Sequence, residues 1–292
     1  MKKHLIISVT IVILILGGCS KMDEKEKLKQ GTTPVQDYVG QGFSFVDGEK
    51  TEGIVEKYEK EIAAQAKAYV KKNYHTEVKV NNVVPARNAA VVMVEAEEPI
   101  SFHSSVIVSL DMRGKKPYPA EDGMVRSEEG ELENAIVSGL FHKLYRNEFE
   151  KLTANIERCS KKIGLVPRTE EVIEKTGTNG YQNQYFFITV FFDDSEILNI
   201  YKEEKNVSNN KLRQLFESKA AKENISIVIN LFMPNINDKP DKKKIYALAN
   251  DIKNLKGIPK AQYSFTVFGN EIINQHALTD GENESIEVYI NN

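Results

Sequence analysis

Between Ile54 and Tyr74 the apolar residues fall at 54, 58, 62, 66, 69, 70 and 74, with Glu and Lys between them. That spacing predicts an amphipathic helix. Three strand-like runs follow. Val78, Val80 and Val84 alternate with polar residues in Glu77–Val84, and Ala89–Ala96 is apolar on both faces, as a central strand would be. Ser101–Leu110 places Phe102, Val106, Val108 and Leu110 on one face and His103 on the other, so His103 is expected to face solvent. Pro85 with Asn88, and Glu98 with Pro99, supply the turns, giving an antiparallel meander with a helix on one face.

Met112–Glu131 reads as a long loop. A second long helix is expected from Glu131 to Ile163, with its stripe at Leu132, Ile136, Leu140, Leu144, Leu152, Ile156, Cys159 and Ile163. Gly164 and Pro167 end it. Farther on, Tyr185–Phe192 predicts a buried strand, and Asp193-Asp194-Ser195 offers caps to a helix carrying Ile197, Leu198 and Tyr201. Another helical face joins Leu212, Leu215, Phe216 and Ala220. Ile225–Met233 is a strand, Ile245–Leu255 a helix, and Tyr263–Phe268 and Ile286–Ile290 are strands. The fold class is α+β, divided at Gly177-Thr178-Asn179-Gly180 into an N-terminal α+β domain (35–176) and a mixed α/β C-terminal domain (177–292).

The N-terminus changes this picture of a soluble protein. Met1-Lys2-Lys3-His4 is basic, and Leu5–Leu16 is an apolar run of 12 residues broken by Ser8 and Thr10. A spanning helix needs about 20 residues, so the run fits a secretory signal (1–18) instead. Leu16-Gly17-Gly18-Cys19 follows directly and resembles the lipobox of bacterial lipoproteins. The resemblance implies a diacylglyceryl thioether on Cys19 and a mature chain beginning there. Two acyl chains are enough for stable anchoring. The competing reading is an uncleaved N-terminal helix or a chance cysteine. Residues 19–34 are too charged to form a core and are expected to be a solvated, lipidated tether. The protein is thus expected on the outer side of a cell membrane.

Composition sets the remaining limits. With 39 Lys and Arg against 42 Asp and Glu in 292 residues, the net charge of -3 gives no basic surplus for nucleic acid. Loss of the signal removes Lys2 and Lys3 and deepens the acidic excess, which leaves membrane attachment to the acyl chains. Two cysteines cannot build a disulfide framework. His75, His103, His142 and His276 form no close ligand pair, so no metal or other cofactor is expected. Cys159 lies on a helix stripe and reads as a core thiol, with a nucleophilic role as the alternative. Asp193 and Asp194 follow a strand, where acidic residues can activate water, although helix capping accounts for them. No serine-hydrolase elbow or phosphate loop is present, and no catalytic residue is assigned. Tyr181 and Tyr185, among Asn and Gln in Gly177–Tyr185, are candidates for a sugar- or peptide-facing surface.

The lipobox, the segment Tyr38-Val39-Gly40-Gln41-Gly42-Phe43 and the Val78–Glu95 strand pair together resemble an uncharacterised family of lipoproteins from staphylococci and related bacilli, whose domain has no known function. The resemblance implies a Gram-positive membrane lipoprotein and transfers no catalytic residue. The expectation is a lipid-anchored envelope protein that binds or interacts without catalysis. The alternatives are an extracytoplasmic solute-binding receptor and, behind it, an envelope hydrolase.

Overall fold

The computed structural model describes residues 30–121, 123–191, 195–203, 208–218 and 224–290. Leu16, Gly17, Gly18, Cys19, Asp193, Asp194 and Ala220 lie outside them. The expected α+β class holds.

The first helix, α1 (Glu52–Tyr74), buries Val55, Ile62, Ala66, Val70 and Tyr74, which are stripe positions or their neighbours. It packs against β2 (Lys79–Ala86), β3 (Ala89–Ala96) and β4 (Phe102–Asp111). These three strands form the expected antiparallel meander, in register from Lys79↔Glu95 to Ala86↔Ala89 and from Ala89↔Ser109 to Ala96↔Phe102. Strand β3 is buried on both faces. Ala90, Val92 and Val94 meet the helices, while Val91 and Met93 meet Phe43 and Phe45 on the far side. The stretch expected to be a plain loop carries two short strands, β5 (Lys116–Pro117) and β6 (Val125–Arg126), that add to β4.

The long helix expected over 131–163 is two helices, α2 (Glu131–Leu144) and α3 (Arg146–Ile163), broken at Tyr145 with φ -112° and ψ 31°. Neither Gly nor Pro marks the break. Helix α2 is enclosed on all sides, with Leu132, Ala135, Ile136, Val137, Ser138, Leu140, Phe141 and Leu144 buried, whereas α3 buries one stripe at Phe149, Leu152, Ile156 and Cys159. The bend lets α2 sink between β4 and the second sheet while α3 lies along α7 (Lys242–Lys253).

Beyond α4 (Glu170–Thr176), the chain builds a four-stranded sheet ordered β12-β9-β8-β7. Its members are β7 (Phe186–Val190), β8 (Ile225–Phe232), β9 (Ala261–Phe268) and β12 (Asn283–Ile290). The β8–β9 pair is parallel, with α7 as the crossover that a parallel connection requires. Helices α5 (Ser195–Glu203) and α6 (Asn209–Phe216) contribute Ile197, Tyr201, Leu212 and Phe216 to the core. Strand β7 was expected to be buried on both faces but is a sheet edge, buried only at Phe186, Ile188 and Val190. A third, small sheet pairs β1 (Thr32–Pro34) with β10 (Glu271–Ile273), and β10 with β11 (Leu278–Thr279). The end of the expected tether is therefore a strand. Its partner lies 239 residues away, as the Thr32 Oγ1 to Glu271 Oε1 bond of 2.8 Å shows, a distance no local pattern could report. One core cluster draws side chains from both sides of residues 177–180. No helix among the described residues is long and apolar enough to cross a membrane.

Candidate binding cleft

The segment between α4 and β7, singled out in sequence for its tyrosines and amides, is held by bonds along its whole length. Thr169 caps α4, its hydroxyl accepting from Val172 N at 3.3 Å and donating to Tyr38 O at 2.9 Å. Gly180 then exchanges both backbone hydrogen bonds with His103, at 2.8 and 3.0 Å, and Tyr181 N donates to Ser138 Oγ at 2.8 Å. Asn183 Oδ1 accepts from Tyr185 N (2.9 Å) and Phe186 N (3.0 Å), the local turn that Asn favours.

This segment walls two adjoining cavities, of about 450 and 280 Å³, which share Ile173 and residues 182–185. Small-ligand sites fall in the same size range. The larger has aromatic walls from Phe43, Phe45, Phe186 and Phe187, the half-buried face of β7 among them. Arg168 and His276 line it, and no Asp or Glu among the described residues does. Arg168 Nη1 donates to Ala277 O at 3.1 Å, and the guanidinium lies 5.7 Å from the Phe232 ring centre. Burial lowers its pKa, against the opposing influence of the Tyr38 phenol.

The smaller cavity is acidic, with Glu95, Glu170 and Glu174 in its wall. Glu95 Oε2 accepts from Asn81 Nδ2 at 2.7 Å, lies 3.1 Å from Lys79 Nζ, and sits 3.5 Å from His103 Nε2. Burial opposes its charge, but hydrogen bonds from His103 and Asn81 hold the carboxyl down at about 2. His103, expected to face solvent, is only 6% exposed. Gly180, far away in sequence, pairs with the edge of β4 at His103, and Glu95, Thr153, Glu170 and Tyr181 surround the same space as its ring.

The other candidates have structural surroundings. The Tyr181 ring stacks on His142, with centroids 3.5 Å apart and planes at 12°, and burial pushes its hydroxyl up to about 12. Tyr185 lines both cavities. His75 caps the C-terminus of α1 in the left-handed region, at φ 54°. Cys159 is 4% exposed, and burial, then Asp251, raises its thiol pKa, so it stays protonated. No group of three His, Cys, Asp or Glu positioned to hold a metal occurs among the described residues. Arg168, Glu95 and Gln182 were not singled out in sequence, because nothing local distinguishes them from surface polar residues.

His142 carries a pH prediction. Burial, and then Arg146, drop its pKa from 6.5 to about 4. The folded state therefore binds fewer protons than the unfolded state below 6.5, and stability falls as pH is lowered through the window from 6.5 to about 4. His142→Phe keeps an aromatic ring on Tyr181 and should flatten that part of the profile. Urea midpoints measured at steps from pH 7 to pH 4 test this; equal slopes in variant and wild type would refute it.

A family model described as a protein of unknown function (DUF1672) matches residues 25–292. The chain belongs to the DUF1672 family. The crystal structure of a DUF1672 family protein from Staphylococcus aureus subsp. aureus Mu50 is similar to it at 21% identity and a TM-score of 0.74, covering 89% of this chain and 98% of that one. At that identity the likeness carries the fold alone. No curated protein matches the chain. The DUF1672 fold thus comes without an inherited activity, and the cleft has to be read from its own residues.

Proposed function

We propose that this DUF1672 protein is lipid-anchored on the outward side of the cell membrane in a Gram-positive envelope, and that it acts by binding a small ligand in the paired cleft without catalysis. The observation that carries the binding reading is the pair of cavities sharing residues 182–185, one lined by Arg168 and aromatic rings, the other by carboxylates. Leu16-Gly17-Gly18-Cys19 and the preceding basic and apolar run support the anchor. The protonated, buried Cys159 supplies no nucleophile to the cleft. The same cleft would serve a solute receptor, although a single parallel pair in an otherwise antiparallel sheet is unlike two doubly wound lobes.

Two measurements test the proposal. A thermal-shift screen with sugars, peptides and metal ions should give a concentration-dependent rise in melting temperature for at least one class, since a ligand stabilises the state it binds. Flat profiles across the screen count against binding. Cys19→Ala should move the protein from the membrane fraction to the soluble fraction, and unchanged retention would sink the anchor.

A further inference from the structure

Two hydrogen-bond donor groups at the larger cavity have capacity to spare. Arg168 has five N–H donors and uses one on Ala277 O. No carboxylate among the described residues pairs with it. Gln182 Nε2 is itself buried and, among the described residues, has no hydrogen-bond partner. Both side chains line the larger space, whose wall holds no Asp or Glu among the described residues, and Gln182 is shared with the acidic smaller cavity. Gln182 Nε2 is buried without a partner, at a cost in free energy, and Arg168 presents a cation with N–H groups to spare, so the site suits an acceptor-rich, negatively charged guest. A guanidinium fork matches a carboxylate in bidentate geometry. Beside it, the phenylalanine rings offer contact to an apolar body, and Asn179, Gln184 and Asn230 offer partners to an amide.

From this arrangement we infer that the larger cavity takes a small carboxylate with an amide and an apolar body, such as an N-acylated amino acid, with Arg168 as the anchor and Gln182 as a second donor. The inference rests on the binding reading above and adds the chemical class of the ligand. Binding weakens with added salt, because the attraction depends on a charge pair. A neutral amide in place of the carboxylate leaves the guanidinium without its counter-charge.

Calorimetric titration of the mature chain with N-acetyl-L-phenylalanine, N-acetyl-L-leucine and N-acetyl-L-glutamine tests this. The amide of N-acetyl-L-phenylalanine and inorganic phosphate serve as comparisons. At least one acid should bind, and for phenylalanine the acid should bind at least about tenfold more tightly than the amide, as expected for a charge-assisted bond. That comparison uses wild-type protein and needs no variant to fold. Arg168→Gln and Gln182→Ala, with circular dichroism to check folding, should each weaken the acid and leave the amide nearly unchanged. Equal binding of acid and amide keeps the cleft reading and overturns the anionic ligand. Tighter binding of phosphate than of any acid also overturns the inference. If none of the acids binds, the inference falls; if the thermal-shift screen is flat as well, the cleft reading falls with it.

Discussion

Phe149→Ala lowers the free energy of unfolding by about 3 to 5 kcal/mol, the range for removing a buried aromatic side chain. Phe149 is 1% exposed on α3, in the stripe that turns inward. Its ring meets Phe141 edge-on at 5.8 Å, stacks near Phe186 at 5.6 Å and lies 6.2 Å from Tyr181. It therefore joins α2, β7 and the cleft wall, three parts that no backbone ladder connects through this point. Truncation loses the ring's transfer free energy and leaves a void that its neighbours, already in contact with one another, can fill only in part. Aromatic pairs add about 0.5 to 1.5 kcal/mol beyond area burial, so Phe149→Leu should recover much of the loss but not all. Urea unfolding with an unchanged m-value is the measurement. A loss under about 1 kcal/mol would mean that the ring is not packed as described.

Gly180→Ala costs about 2 to 5 kcal/mol, and the loss divides into two measurable parts. Gly180 has φ +69°, where a side chain costs about 1 to 2 kcal/mol. A Cβ there would also stand 2.3 Å from Ser138 Oγ and 3.0 Å from Ala135 Cα, an overpacking worth about 1 to 3 kcal/mol. Ser138 cannot simply yield. Its hydroxyl donates to Ala135 O at 2.8 Å and accepts from Tyr181 N at 2.8 Å, so moving it loosens the cleft wall. Ser138→Ala removes the clashing oxygen and leaves the backbone strain. In that background the Gly180→Ala penalty should shrink by the share due to Ser138 Oγ, leaving the conformational cost and the 3.0 Å approach to Ala135 Cα, a difference that a double-mutant cycle reads directly. An identical penalty in both backgrounds would overturn the steric part; wild-type stability of the single variant would overturn both.

The same region shows where legibility in sequence ended. Periodicity located α1 and the residue limits of β3, because period and burial agree when one partner surface covers a stripe or both faces of a strand. It failed at Tyr145, where a helix buried on all sides passes into one buried along a single stripe, with no Gly or Pro to mark the break. It failed at His103 as well, since alternation along a strand reports two faces but not what covers the second. The Gly177–Tyr185 segment was visible as a cluster of turn residues and amides. That Asn183 shapes its turn and Tyr181 lies against His142 was not.

In residues 1–19 the basic start, the apolar run and Leu16-Gly17-Gly18-Cys19 are legible from order and spacing alone, and the proposed signal and anchor rest on that contiguous pattern. The α+β class was determined in the same local way, by hydrophobic spacing. The cleft was decided by tertiary structure alone. Arg168, Gln182 and Phe43 meet there because α4, the edge strand β7 and the far side of β3 converge. A cavity and its charge are properties of side chains brought together across long stretches of chain, and no local pattern encodes which of them will be left facing one another.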